Sequence, residues 1–133
     1  VLIIGMGGLG CPVAEFLTRA GIGSIGIIDS DNVELSNIHR QSLYDIDDLK
    51  KSKVIAAKKK LKKINSQTKV SCYKIRLNKN NCNKILMKYD YIVDGSDNFK
   101  TKFLLNDFCK ISKKFLVTGA ISKFDGHIFL LFG

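Results

Sequence analysis

The chain is predicted to adopt an α/β fold, a doubly wound, mainly parallel sheet with helices on both faces. Three observations predict it. Its apolar runs are short and continuous rather than alternating, as expected of parallel strands covered on both sides. Helical patterns fall between those runs. The first run breaks at a cluster of glycines and resumes as a helix, the strand–turn–helix unit from which such sheets are wound.

Five runs read as buried strands: "VLII" at 1–4, "SIGIID" at 24–29, "KVSCYKI" at 69–75, "YIVD" at 91–94 and "FLVTGA" at 115–120. A last strand at 127–132 follows the turn-like "KFDG". Between them, Val13, Phe16, Leu17 and Ala20 recur at helical spacing and predict a first apolar stripe. Val54, Ala57, Leu61 and Ile64 predict a second, and Phe99, Phe103, Leu104, Phe108 and Ile111 a third. A shorter helix is expected through Ile85, Leu86 and Tyr89. The connection from Asp29 to Asp48 is long and polar, which in a compact domain points to function or disorder. Val33, Leu35, Ile38, Leu43 and Tyr44 punctuate it with apolar side chains and argue for order.

With 133 residues, 45% of them hydrophobic, residues 1–133 suit one domain with one core. The chain opens on a strand-like run without Met and closes on another, so we read it as a fragment of a longer protein. The net charge of +10 raises nucleic acid as a partner. However, the cations are nearly all Lys, and Arg occurs only as Arg19, Arg40 and Arg76. The run "KKSKVIAAKKKLKKIN" fits an amphipathic helix with a solvated Lys face and no aromatic residues to stack on bases. No nucleic-acid partner and no membrane span are therefore expected. Cys11, Cys72, Cys82 and Cys109 form no C-x-x-C pair and suit buried thiols in a reducing cytoplasm. Cys11, beside the glycines at a helix N-terminus, could instead be a reactive thiol of lowered pKa.

"GMGGLG" fits G-x-G-x-x-G through Gly5, Gly7 and Gly10, with Gly8 extra. Glycines there permit a tight turn and let backbone N–H groups approach an anion, while the helix adds its positive end. Asp29 closes the second strand roughly twenty residues on, where an acid would meet ribose hydroxyls. A P-loop is disfavoured because no Lys-Ser/Thr pair follows. Read alone, the loop suits an NAD site, an ATP site, or a turn made for close strand–helix packing.

Residues further along weigh toward ATP. Arg40 sits in the long loop, within "SNIHRQ" at 36–41, in a chain poor in Arg. Lys53, at a helix start, reads from physics alone as one more surface Lys. "DGSDN" at 94–98 follows the fourth strand, which neighbours the first across the switch point where ligands bind. Asp97 would there face the glycine loop, a position sensible for Mg²⁺ carried by ATP. Asn98 is equally suited to cap the helix that begins near Phe99.

Together, "GMGGLG", "DSDNVELSNIHRQ", Lys53 and "VDGSDN" resemble the ThiF/MoeB/HesA family, E1-like enzymes that adenylate ubiquitin-like sulfur-carrier proteins. The resemblance covers nearly the whole chain and implies a Rossmann-like domain that binds ATP. It implies that Gly5, Gly7, Gly8 and Gly10 lie under the nucleotide, with Gly8 touching it. Asp29, with Asp31 nearby, would hold the ribose. Ser36, Asn37, Ile38, His39 and Arg40 would form the ATP-contacting segment. Lys53 would reach the phosphates, against the surface-Lys reading. Asp97 would be the Mg²⁺-associated carboxylate, with Asn98 beside it. Arg40, Lys53 and Asp97 are thus the implied catalytic residues.

The implied partner is a ubiquitin-like sulfur carrier, of the thiamine or molybdopterin pathway or another, and the implied full-length assembly a homodimer. The family's N-terminal helical segment and the crossover and zinc-binding C-terminal region would lie outside this chain, so structural Zn²⁺ is expected only there. His39 and His127 depart from the usual residues, at positions that carry no core chemistry. Two alternatives remain: an NAD(P)-linked oxidoreductase domain and a non-catalytic E1-like scaffold.

Overall fold

Six strands form one sheet in the computed structural model, which describes residues 1–133. They are β1 (Leu2–Ile4), β2 (Ser24–Ile28), β3 (Lys69–Tyr73), β4 (Tyr91–Asp94), β5 (Phe115–Ser122) and β6 (Asp125–Phe132). The order is β3-β2-β1-β4-β5-β6, parallel except for β6, which runs antiparallel to β5. Four helices connect them: α1 (Gly10–Arg19), α2 (Lys53–Ile64), α3 (Cys82–Leu86) and α4 (Phe99–Ser112). The fold is Rossmann-like, as the sequence predicts.

The central strands read as unbroken apolar runs because they serve two cores. Ile3, Ile25, Ile27 and Val70 point to one face and pack with Ala14 of α1 and Val54, Ala57 and Leu61 of α2. Leu2, Ile4, Ile28, Ile92 and Leu116 point to the other, with Ile85 and Leu86 of α3 and Leu105 and Cys109 of α4. A polar side chain at either phase would be buried, so no alternation develops.

Two predicted stripes are only partly buried: Val13 and Leu17 of α1 and Leu104 and Phe108 of α4 pack on the cores, and the rest of each stripe does not. In α1, Phe16 is 67% exposed, whereas Cys11, Ala14 and Thr18 are buried. In α4, Phe99, Phe103 and Ile111 are exposed, whereas Thr101, Leu105 and Cys109 are buried. The innermost positions are taken mostly by small residues, with Leu105 the large exception, and Phe16, Phe99, Phe103 and Ile111 lie outside the core. The α2 stripe falls where predicted, with Val54, Ala57 and Leu61 buried.

The long connection is ordered. Its ends are joined by backbone bonds, Val33 N–H to Lys51 O at 2.8 Å and Lys50 N–H to Val33 O at 2.9 Å. Within it lie 3₁₀ turns at Leu35–Arg40 and Ile46–Asp48. Val33, Leu43 and Tyr44 anchor it in the core, and Lys60 of α2 pairs with Asp45 and Asp48. It is a compact loop packed by its own side chains.

On the side of the sheet that carries α1 and α2, the β4–β6 end is bare. Tyr91, Phe115 and Phe132 stack across three strands there, with ring centroids 5.3 and 4.5 Å apart. Leu130 and Ile128 continue the patch at 69% and 81% exposure.

Candidate active site

The crevice opens at the carboxyl ends of β1 and β4, where the chain winds away in opposite directions. Its floor is a close meeting of two turns. Gly5 ends β1 at φ +86°, a left-handed conformation that glycine accommodates without strain. Its N–H bonds Ile28 O at 2.8 Å, and Gly95 N–H bonds Ile4 O at 2.8 Å. A Cβ on Gly10 would overlap the Gly5 carbonyl. Gly10 is therefore required for packing the loop, and it does not line the crevice. Gly7 and Gly8 line the crevice. Their N–H groups have no acceptor within the chain.

Asp29 stands at one lip. Its Oδ2 accepts from Met6 N–H and its Oδ1 from Asp31 N–H, both at 2.8 Å. Each oxygen retains acceptor capacity for a hydroxyl. Lys53 is 5% exposed, which overturns the surface-Lys reading. Its Nζ lies 3.7 Å from Asp31 Oδ2, and its N–H bonds Asp31 O at 3.0 Å. The start of α2 is thereby pinned to the end of β2.

The 3₁₀ turn delivers Asn37, Arg40 and Gln41 to the crevice wall. Arg40 Nη2 donates to Asn37 Oδ1 at 3.0 Å, and the Arg40 stem would lie 3.5 Å from a Cβ on Gly8. Ser36 and His39 are exposed and Ile38 half-buried, and none of the three lines the crevice. On the β4 side, Asp97 and Asn98 reach the crevice with exposed side chains. Asn98 Oδ1 also accepts from Thr101 N–H at 2.9 Å, so it caps α4.

Sequence reasoning missed a buried knot beneath Asp97. The Asp94 carboxylate accepts from Ser96 N–H at 2.9 Å, Ser96 Oγ at 2.6 Å, Thr118 Oγ1 at 2.7 Å and Lys102 Nζ at 2.9 Å. Lys102 also donates to Gly119 O at 2.8 Å, so α4, β4 and β5 are fastened at one point. No sequence spacing marks Lys102, since its partners come from three elements. Gln41 was missed as well. It is buried, and its Oε1 has no partner.

Cys11 is no reactive thiol. Burial pushes it up to about 11, against the lowering expected of a helix N-terminus, and its Sγ–H donates to Met6 O at 3.4 Å. All four cysteines are free.

The crevice encloses about 780 Å³, in the range of small-ligand sites. It presents Arg40, Lys53 and two free N–H groups opposite a carboxylate lip, the complement of a phosphorylated ribose. The ThiF family profile matches residues 1–132. The chain belongs to the ThiF family. This ThiF-family domain is 44% identical over 128 residues to a sulfur carrier protein adenylyltransferase of Thermus thermophilus, covering 96% of this chain and 47% of that protein. It is equally 44% identical to the adenylyltransferase and sulfurtransferase MOCS3 of Drosophila virilis, covering 96% of this chain and 28% of the relative. It also superposes on E. coli tRNA N6-threonylcarbamoyladenosine dehydratase, TcdA, in complex with ATP, with a TM-score of 0.87 and 30% identity over 93% of this chain and 52% of that one. The domain thus spans less than half the length of the curated relatives it matches.

Proposed function

We propose that the protein is an adenylyltransferase. It joins AMP from ATP to the C-terminal glycine carboxylate of a ubiquitin-like sulfur-carrier protein and releases pyrophosphate. The observation that carries this reading is the convergence of Asp29, the Gly7 and Gly8 N–H groups, Arg40, Lys53 and Asp97 on one crevice. The naming of two curated relatives as adenylyltransferases supports it.

The carrier's carboxylate is a nucleophile at pH 7, so no enzyme base is needed. The barrier lies in bringing anions together and aligning them. Asp29 accepts from the ribose hydroxyls and fixes the nucleoside. The Gly7 and Gly8 N–H groups and Arg40 hold the phosphates, and Lys53 offsets charge that moves onto the leaving pyrophosphate. Lys53 is suited to this because α2 and Asp31 hold it in place before any ligand arrives.

Asp97 fits Mg²⁺ brought by the nucleotide. Its carboxylate makes no hydrogen bond or ion pair in the chain, and no group of three or more His, Cys, Asp or Glu side chains could form a cage. Mg²⁺ takes one or two carboxylates and completes its shell with phosphates and water. Bound there, the ion would neutralise phosphate charge.

The carrier belongs to the thiamine or molybdopterin pathway on this proposal, and the enzyme works in the cytoplasm, consistent with its free thiols. The bare apolar face of β4–β6 supports a homodimer of the full-length protein. No helix is long and apolar enough to cross a membrane.

The test has two arms. Calorimetry on the full-length protein should show Mg²⁺-ATP binding and none of NAD. ATP–pyrophosphate exchange should then depend on a carrier with an intact terminal glycine. Preference for NAD would instead establish the oxidoreductase reading, and ATP binding without exchange would establish the scaffold.

A further inference from the structure

Tyr44 joins two parts of the crevice that the sequence leaves far apart. It lies in the connection that carries Arg40, and its N–H bonds Gln41 O at 3.1 Å. Its ring is in the core cluster with Met6, Cys11, Ala14 and Val54. Its hydroxyl donates to Met6 O at 2.9 Å. The same carbonyl receives the weaker Cys11 thiol. The N–H on the other side of Met6 is held by Asp29. Both peptide planes flanking Met6 are therefore fixed by side chains.

A trans peptide is planar, with its C=O and N–H pointing opposite ways. The Met6 carbonyl belongs to the same plane as the Gly7 N–H. Drawing that carbonyl toward Tyr44 in the core turns the Gly7 N–H outward, and that N–H has no acceptor in the chain. Glycine at position 7 offers no side chain that could restrain the plane from the crevice side. The restraint comes from below, through a hydroxyl on the segment that also carries Arg40.

We propose that Tyr44 is a positioning residue for nucleotide phosphate. Its hydroxyl sets the Met6–Gly7 peptide so that the Gly7 N–H points at the phosphates, and it holds the Arg40 segment in register with the glycine loop. The inference rests on the nucleotide reading above. It assigns the hydroxyl a task separate from the packing of the ring, because a phenyl ring would fill the core as well.

The experiment uses full-length protein and compares ATP with adenosine, which lacks phosphates. Tyr44→Phe keeps the ring and removes the donor. Loss of one hydrogen bond of ordinary strength corresponds to roughly three- to tenfold in affinity. The expected result is an ATP dissociation constant raised by about that factor, with adenosine affinity unchanged. Equal weakening of both ligands would show a general structural role and overturn the inference. ATP affinity unchanged by Tyr44→Phe would overturn it too. A second measurement needs no variant: the Gly7 amide proton should move downfield on ATP addition and stay in place with adenosine. An amide indifferent to ATP would overturn the inference even if the variant failed to fold. Unaltered protein that binds no ATP would instead overturn the nucleotide reading itself, and this inference with it.

Discussion

The Asp94 carboxylate and the Lys102 ammonium meet 2.9 Å apart, with the carboxylate wholly buried and the ammonium mostly so. Removing one member of such a pair leaves the other without compensation, which costs about 3–5 kcal/mol. Asp94→Ala should lower the unfolding free energy by about that amount, read from urea titration. A loss under about 1 kcal/mol would show the knot to be ornamental to stability.

The glycines of the loop should separate into two classes. Gly10→Ala drives a Cβ into the Gly5 carbonyl, so it should destabilise the domain and abolish nucleotide binding together. Gly8→Ala meets the Arg40 stem at 3.5 Å and the Arg40 carbonyl oxygen at 3.6 Å, both ordinary contact distances. It should leave the melting temperature within a degree or two, roughly, while weakening ATP binding. Thermal melts with and without ATP distinguish the two.

Arg40→Ala, Lys53→Ala and Asp97→Ala should each reduce carrier-dependent ATP–pyrophosphate exchange by roughly 10²–10³. Near-normal exchange in all three would refute their assignment. For Asp97→Ala the loss should be accompanied by a higher Mg²⁺ requirement.

Alkaline pH should destabilise the domain. Cys11 titrates at about 11 in the fold against an ordinary value of 9.0, and burial moves Cys109 likewise to about 11. Between pH 9 and 11 the unfolded chain releases these protons while the folded chain keeps them. The unfolded state then binds fewer protons, so stability falls as pH rises through that window and is fully retained below it. Cys11→Ala should flatten the decline measured from urea midpoints at successive pH values.

The stacked face of Tyr91, Phe115 and Phe132 should be where full-length subunits associate. Leu130→Glu on that face should shift the full-length protein from the proposed dimer to monomer in sedimentation. Because Leu130 is largely exposed in the single chain, the change should hardly alter the subunit's own stability.

The parts of this fold written in local pattern were legible in the sequence. Continuous apolar runs marked the central strands because both faces of the sheet are covered there, and the glycine spacing marked the first turn. The α1 and α4 stripes were read too widely, because large side chains dominate an apolar pattern: Val13, Leu17, Leu104 and Phe108 pack on the cores, but Phe16, Phe99, Phe103 and Ile111 do not, and the small Ala14, Thr18, Thr101 and Cys109 are buried instead. Lys53 gave no local sign of burial among so many lysines, and the family resemblance placed it. Lys102 and Tyr44 were invisible as site residues because their partners are distant in the chain: Asp94, Thr118 and Gly119 for one, Met6 for the other.

Strand β1 pairs on one side with β2 and on the other with β4, Ile3 lying opposite both Ile27 and Val93. On the ribosome, then, β1 is made long before its second neighbour and must keep one edge open until β4 emerges. Nothing resembling the crevice exists in that interval, since Gly5 and Gly95 have yet to meet. A ligand seated in the crevice would therefore add stability only to molecules in which that late pairing has closed.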